Sequence, residues 1–205
     1  MDNPVQDIAG VIASLATGDP AEQQATLDNF FLSEASFSHP LCRVPSFAKG
    51  TVPFAPGVDS RAIILQIYRW YRTLSPHIDI TVDSAVFDKR TGRLFVEIHQ
   101  TLAIWFLPLY RARVRLITLL HLRQGSPSED GRSGGTGRER GRYFIAGQED
   151  LYTINDCCQF LLPGLGPLLW YGWQLFSTGL CVLGAFVFMP VYLYMNRNAK
   201  VAKVQ

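Results

Sequence analysis

The residues best suited to proton chemistry lie on one run, 94–103. Side chains alternate along a strand, so Phe95, Glu97, His99 and Thr101 share one face, and Leu94, Val96, Ile98 and Leu102 share the other. A carboxylate and an imidazole two residues apart could form a general acid–base pair if their face lined a water-poor cavity. The alternation equally allows the polar face to be solvated while the apolar face packs inward. His39 stands before Pro40 at the end of a short alternating run, 35–40, where a structural hydrogen bond and a catalytic role are both open to it. Arg111, Arg113 and Arg115 alternate with Ala112, Val114 and Leu116 and so leave one strand face together. They could meet anionic lipid headgroups, or pair with Asp79 or Asp83 across strands.

The elements that must position these groups can be read from periodicity and breakers. A first helix is expected over 4–16. A second follows Asp19-Pro20, with proline in its first turn, and carries Ala25, Leu27, Phe30 and Phe31. Pro45, Pro53 and Pro56 with Gly50 and Gly57 mark an irregular loop over 42–59. The segment 60–74 is a third helix stopped by Ser75-Pro76, with Ile63, Ile64, Ile67, Trp70, Tyr71 and Leu74 spaced as one buried face. Strand-like runs follow at 77–87, 93–106, 113–123 and 143–149, the first two joined by a hairpin turn at 88–92. The insertion 124–141 is rich in glycine, serine and charge and reads as a flexible loop. It lacks the Gly-Lys-Ser/Thr ending of a phosphate loop. Helices followed by long antiparallel strands predict an α+β domain with helices on one face of a curved sheet.

Composition divides the 205 residues into two parts. All 17 acidic residues and 16 of the 19 basic ones lie at or before Asp156, giving 16 − 17 = −1, while the remainder carries only Arg197, Lys200 and Lys203, or +3. No dense basic face appears in the first part, so nucleic acid is not an expected partner. Cys42, Cys157, Cys158 and Cys181 have no metal-type spacing, and neither a metal nor another cofactor is expected. The N-terminal stretch lacks the basic start and continuous apolar core of a secretory signal. Between Asp156 and Arg197 lie 40 residues without a formal charge. They are expected to form a membrane segment over 157–196 that crosses once over about 167–195, before a basic tail at 197–205. Trp170, Tyr171, Trp173, Tyr192 and Tyr194 are placed like interfacial belts. Pro163-Gly-Leu-Gly-Pro167 and Pro190 also allow a shallow hairpin. With no signal in front of it, the domain at 1–156 is expected in the cytosol, anchored to the endoplasmic reticulum or another internal membrane. The basic residues after the span favour the opposite orientation.

Several strings together resemble the nuclear transport factor two-like superfamily, and within it the fungal SigF-like branch. They are the segments 30–43, 67–71 with Ser75-Pro76, 105–112 and 148–152, followed by the hydrophobic stretch. The resemblance spans about 4–195 and departs mainly in the insertion at 124–141. It implies a cone-shaped fold with a cavity, in a superfamily that includes lipid and steroid binders as well as isomerases and dehydratases. On that reading Glu97, His99 and His39 are the candidate catalytic residues, and Tyr68, Tyr71, Phe95 and Trp105 would line the ligand site. Helical spacing alone makes Tyr68, Trp70 and Tyr71 mainly core residues. Two functions from different classes follow. One is a membrane-anchored module that holds a hydrophobic small molecule or lipid without catalysis. The other is a membrane-tethered isomerase, cyclase or dehydratase of terpenoid- or polyketide-type secondary metabolism. The expected partners are the bilayer, a hydrophobic small molecule and a second copy of the chain in a homodimer.

Overall fold

The computed structural model describes residues 1–107, 110–125 and 141–195. Most of the glycine-rich insertion expected at 124–141, and the basic tail expected at 197–205, lie outside the described residues. Helix α1 spans Pro4–Thr17 and buries Pro4, Ile8, Val11 and Leu15, one stripe at helical spacing. Helix α2, Pro20–Phe30, is capped by Asp19, whose carboxylate accepts the amides of Ala21 and Glu22 at 2.9 and 2.8 Å. Buried Gln23 donates to the Leu15 carbonyl at 2.8 Å and ties α2 to α1. Phe31, expected at the end of this helix, instead opens strand β1, Phe31–His39. Strand β2 is the short run Cys42–Val44.

Helix α3 covers Ser60–Leu74, and the Asp59 carboxylate accepts the Ala62 amide at 2.9 Å. Its inward face differs from the expected one. Ile64 and Leu65 are buried and Ile67 and Tyr68 pack on the core, whereas Ile63 is exposed and Trp70 is 60% exposed. At about 100° per residue Ile64, Leu65 and Tyr68 fall on one side of the helix, whereas Ile63 and Trp70 lie together on the other.

Strands β3 (Asp79–Asp88), β4 (Arg93–Ala103), β5 (Arg111–Gln124) and β6 (Tyr143–Tyr152) complete one six-stranded sheet of order β2-β1-β6-β5-β4-β3. The sheet is mixed rather than wholly antiparallel, because β1 runs parallel to β6. A hairpin dictates direction between its own strands, whereas β1 and β6 meet across most of the chain and carry no such constraint. Their close approach needs Gly147: a Cβ there would sit 2.7 Å from the Ser36 hydroxyl. Register shifts at Phe31/Ser36, Val82/Ser84 and His121/Leu122 add local twist and curve the sheet. One face buries Leu94, Val96, Ile98 and Leu102 of β4 with Ala112, Val114, Leu116, Thr118, Leu120 and Leu122 of β5. The helices close over that face and leave a hollow within it.

After β6 the chain forms α4 (Ile154–Leu161), α5 (Leu165–Val187) and α6 (Met189–Met195). Helix α4, expected within the membrane segment, packs on the cone: the Asp156 carboxylate accepts the Arg115 amide at 3.1 Å, and Tyr110 bonds the Phe160 carbonyl and meets its ring edge-on. Helix α4 thus continues the contacts of the cone beyond Asp156. The single span expected over 167–195 is two helices bent by 60° near Phe188. Pro190 supplies a reason, since it lacks an N–H and its ring crowds the carbonyl four residues earlier. Among the described residues no single helix is long and apolar enough to cross a membrane, whereas α5 and α6 together meet the length and composition. Gln174, Ser177 and Thr178 lower the hydropathy of α5.

Adjacent residues on β4 give a direct check of which face is inside. Leu94→Ala should lower the stability of the full chain to denaturant by about 2–5 kcal/mol. Phe95→Ala, at a side chain 41% exposed, should cost less than about 1 kcal/mol. Equal losses would contradict the assigned faces.

Candidate functional site

The sheet separates the residues singled out from sequence into two groups. Phe95, Glu97 and His99 lie on the outer face of β4, because Leu94, Val96 and Ile98 take the interior. Glu97 forms an ion pair with Arg115 and accepts from the Ser84 hydroxyl at 3.3 Å. His99 Nδ1 bonds the Asp83 carboxylate, and Arg111 lies 3.6 Å from Asp79. Arg111 and Arg115 thus pair across strands on the outer surface. Trp105, 68% exposed, meets Phe106 edge-on at 5.5 Å and does not line the hollow. Contrary to the expectation from sequence, Glu97, His99, Phe95 and Trp105 do not line the hollow.

His39, Tyr68 and Tyr71 are brought together inside. They line a cavity of about 90 Å³ between the concave face and helices α1, α3 and α4. Most of its wall is apolar, including Ile8, Val11, Phe37, Ile98 and Leu116. Five polar residues not named as site residues from the sequence complete it: Gln100, Thr118, Gln148, Asp150 and Tyr152. The Asp150 carboxylate accepts from Thr118 Oγ1 at 2.7 Å and from Gln148 Nε2 at 3.0 and 3.2 Å. Gln148 Oε1 in turn accepts from the Tyr68 hydroxyl at 2.9 Å. Across the cavity, Gln100 Nε2 donates to the Tyr152 oxygen at 2.9 Å. His39 Nδ1 accepts the Leu41 amide at 3.2 Å and lies 3.2 Å from the Tyr71 hydroxyl. Since an amide can only donate, Nδ1 carries the lone pair and the proton of the neutral ring sits on Nε2.

Burial decides the charge states. Among the described residues no lysine or arginine lines the cavity. Desolvation raises the Asp150 carboxyl to about 6, against the opposing pull of the Gln148 and Thr118 hydrogen bonds. Desolvation lowers His39 to about 4, so the imidazole is neutral at neutral pH. Burial also raises Tyr68, Tyr71 and Tyr152 far above the usual phenol range, which keeps them as neutral donors. The Tyr152 hydroxyl accepts from Gln100 and has no acceptor for its own proton among the described residues, so it can donate to a ligand oxygen. A carboxyl titrating near 6 beside such a donor can take a proton from carbon or oxygen of a bound molecule while the tyrosine steadies the negative charge that develops.

A sequence signal for the missed residues lies at the end of β6. Gln148, Asp150 and Tyr152 point inward, while Leu151, half exposed, and Glu149, paired with His121 at 3.1 Å, point outward. Polar-in and apolar-out is the reverse of ordinary strand patterning and marks an interior polar site. Ending this strand at Glu149 hides the reversal.

Residues 1–191 match the family described as the SigF NTF2-like domain. No curated protein matches the sequence. Solved structures similar to this chain include an LEH-like epoxide hydrolase of M. tuberculosis, 12% identical with a TM-score of 0.47, the match covering 82% of this chain and 98% of that one. A hypothetical protein with a ketosteroid isomerase-like fold from Catenulispora acidiphila DSM 44928, in complex with trimethylamine, is 13% identical with a TM-score of 0.46, covering 73% and 85%. The epoxide hydrolase/cyclase-like enzyme SalBIII of pyran ring formation in salinomycin is 10% identical with a TM-score of 0.47, covering 74% and 91%.

The raised Asp150 carboxyl sets a pH dependence of stability. A proton is held more tightly in the folded state, so this group's contribution is fully present below its ordinary value near 3.8 and is lost as pH rises through about 6. Asp150→Asn removes the buried charge. It should raise stability at pH 7.5 by at most about 3 kcal/mol, and the gain should vanish below pH 4 in urea titrations across that range. A gain that persists unchanged at pH 4 would mean that the carboxylate is not desolvated.

Proposed function

Since the chain belongs to the SigF NTF2-like domain family, we propose that its cavity binds a hydrophobic small molecule bearing a carbonyl or hydroxyl group and moves a proton on it. The reaction class is that of an isomerase, cyclase or dehydratase. One observation carries this reading: a mostly apolar cavity encloses a carboxyl that titrates near 6, with neutral tyrosine donors around it. Asp150 is the proton acceptor and Tyr152 the donor to the ligand oxygen. Gln100 orients Tyr152, and Thr118 and Gln148 hold Asp150. Neutral His39 holds Tyr71 near the mouth. The apolar wall also supports retention of a lipid-like ligand without turnover, in which case Asp150 only orients it.

Mass spectrometry of what co-purifies with the detergent-extracted full chain supplies the molecule for the test. Incubated with the protein in deuterated water, that molecule should gain deuterium, at a rate falling about tenfold per pH unit below 6 as Asp150 protonates. Asp150→Asn should retain the ligand and slow the exchange at least a hundredfold. Retention without any exchange by the parent protein would leave the binding role alone standing.

The bent pair α5–α6 is proposed to attach the cone to a bilayer. Its outer surface is apolar nearly all round, from Leu165, Leu168 and Leu169 to Phe186 and Val187. Trp170, Tyr171 and Trp173 sit towards one end and Tyr192 and Tyr194 at the other, where amphipathic rings favour the interface. The full chain should remain in the membrane pellet after alkaline carbonate washing, and its release into the supernatant would overturn the attachment.

A further inference from the structure

A second hollow adjoins the cavity. It is lined by Pro40, Leu41, Cys157 and Leu161, together with His39, Tyr152 and Phe160, which also line the cavity itself. It therefore forms a vestibule between the end of β1, the end of β6 and helix α4. Among the described residues none lining it is charged at neutral pH, His39 being neutral there. Its outer rim is apolar as well, with Leu41 60% exposed and Leu161 66% exposed. Such a rim facing water is unfavourable at about 25 cal/mol per Å², and a polar metabolite would gain nothing by crossing it.

The adjoining chain indicates what covers the rim. Only three residues separate α4 from α5. The turn is tight: Gly164 adopts φ +83°, the Gly166 amide donates to the Leu162 carbonyl at 2.9 Å, and a Cβ on Gly166 would lie 2.3 Å from the Cys158 carbonyl. Gly166 is the one buried residue of α5. The start of the apolar helix is thereby fixed against α4, the element that carries Phe160 and Leu161 at the mouth. Leu162, Leu165, Leu168 and Leu169, which follow Leu161 in the chain, are exposed as well.

We propose that this vestibule is a lateral entrance from the bilayer, and that the natural ligand is an amphiphile dissolved in the membrane, with one polar end that reaches Asp150 and Tyr152. The inference rests on the reading of the cavity as a ligand site and of α5–α6 as the attachment. Phe160 lies between vestibule and cavity and is held by Tyr110, so it is the side chain an incoming chain must pass.

The test uses the full chain reconstituted in phosphatidylcholine vesicles and two photoreactive probes. One is a diazirine-bearing long-chain alcohol dissolved in the bilayer, and the other a short water-soluble diazirine alcohol. Crosslinks are mapped by mass spectrometry. The bilayer probe should label both the rim residues and the cavity. Leu41→Arg with Leu161→Arg, at exposed positions, should reduce cavity labelling by that probe at least fivefold. Phe54→Arg, which places the same charge on a fully exposed side chain of the 45–59 loop, should not. The water-soluble probe reports whether the cavity survives the rim substitutions. Cavity labelling from the bilayer that is insensitive to the rim substitutions overturns the entrance and leaves the ligand site intact. Cavity labelling by the water-soluble probe alone does the same. Failure of both probes to label the cavity overturns the ligand site itself.

Discussion

Asp150 is held inside the sheet by hydrogen bonds from Thr118 and Gln148 and meets no cation there among the described residues, and the polar network of the interior is built outward from it. A lone buried carboxylate is costly unless donors satisfy it or a proton neutralises it. Both partners must come from neighbouring strand positions, Thr118 from β5 directly opposite Asp150 and Gln148 two residues away on β6. Gln148 then needs an acceptor's partner of its own, which Tyr68 provides from α3. One acidic side chain thus links the sheet to the helix that covers it. The raised proton affinity is the residue of a balance in which desolvation exceeds the hydrogen bonds.

The outer face follows the opposite logic. Arg115 with Glu97, Arg111 with Asp79, and His99 with Asp83 are cross-strand pairs in contact with water, where screening keeps each contribution small. Their chemistry is that of a solvated sheet surface, even though the residue types are those of a catalytic pair. A single residue shift in strand register would exchange the two faces, because strand side chains alternate with period two. The apolar set Leu94, Val96, Ile98 and Leu102 settles the matter by burial: its members outweigh any gain from placing Glu97 or His99 inside.

The C-terminal helices extend the same reasoning beyond the cone. Helix α4 closes one end of the cavity through Phe160, and at Gly166 there is no room for a side chain between α4 and α5. The apolar surface that begins at Leu165 therefore starts beside the mouth of the cavity rather than at the end of a free tether. With α5–α6 as the proposed attachment, geometry of this kind would couple the site of attachment to the molecules that can reach the interior.

Local regularities in the sequence were sufficient to establish most elements: the helix at Ser60–Leu74, the start of the helix that follows Asp19, and the strands that hold the alternating runs of β3, β4 and β5. They depend on interactions within a few residues, which spacing exposes directly. The resemblance carried by its quoted strings extended this to the cone, and the uncharged stretch after Asp156 showed an apolar C-terminal part. The parallel pairing of β1 with β6, the outward placement of Glu97 and His99, the bend at Phe188 and the docking of α4 were decided by tertiary structure. So was the site itself, since Asp150, Thr118, Gln148, Tyr68 and Gln100 come from four different elements and share no sequence neighbourhood beyond Gln148 and Asp150. Proton affinity depends on burial and on partners distant along the chain, and neither is a property of the residue in its sequence.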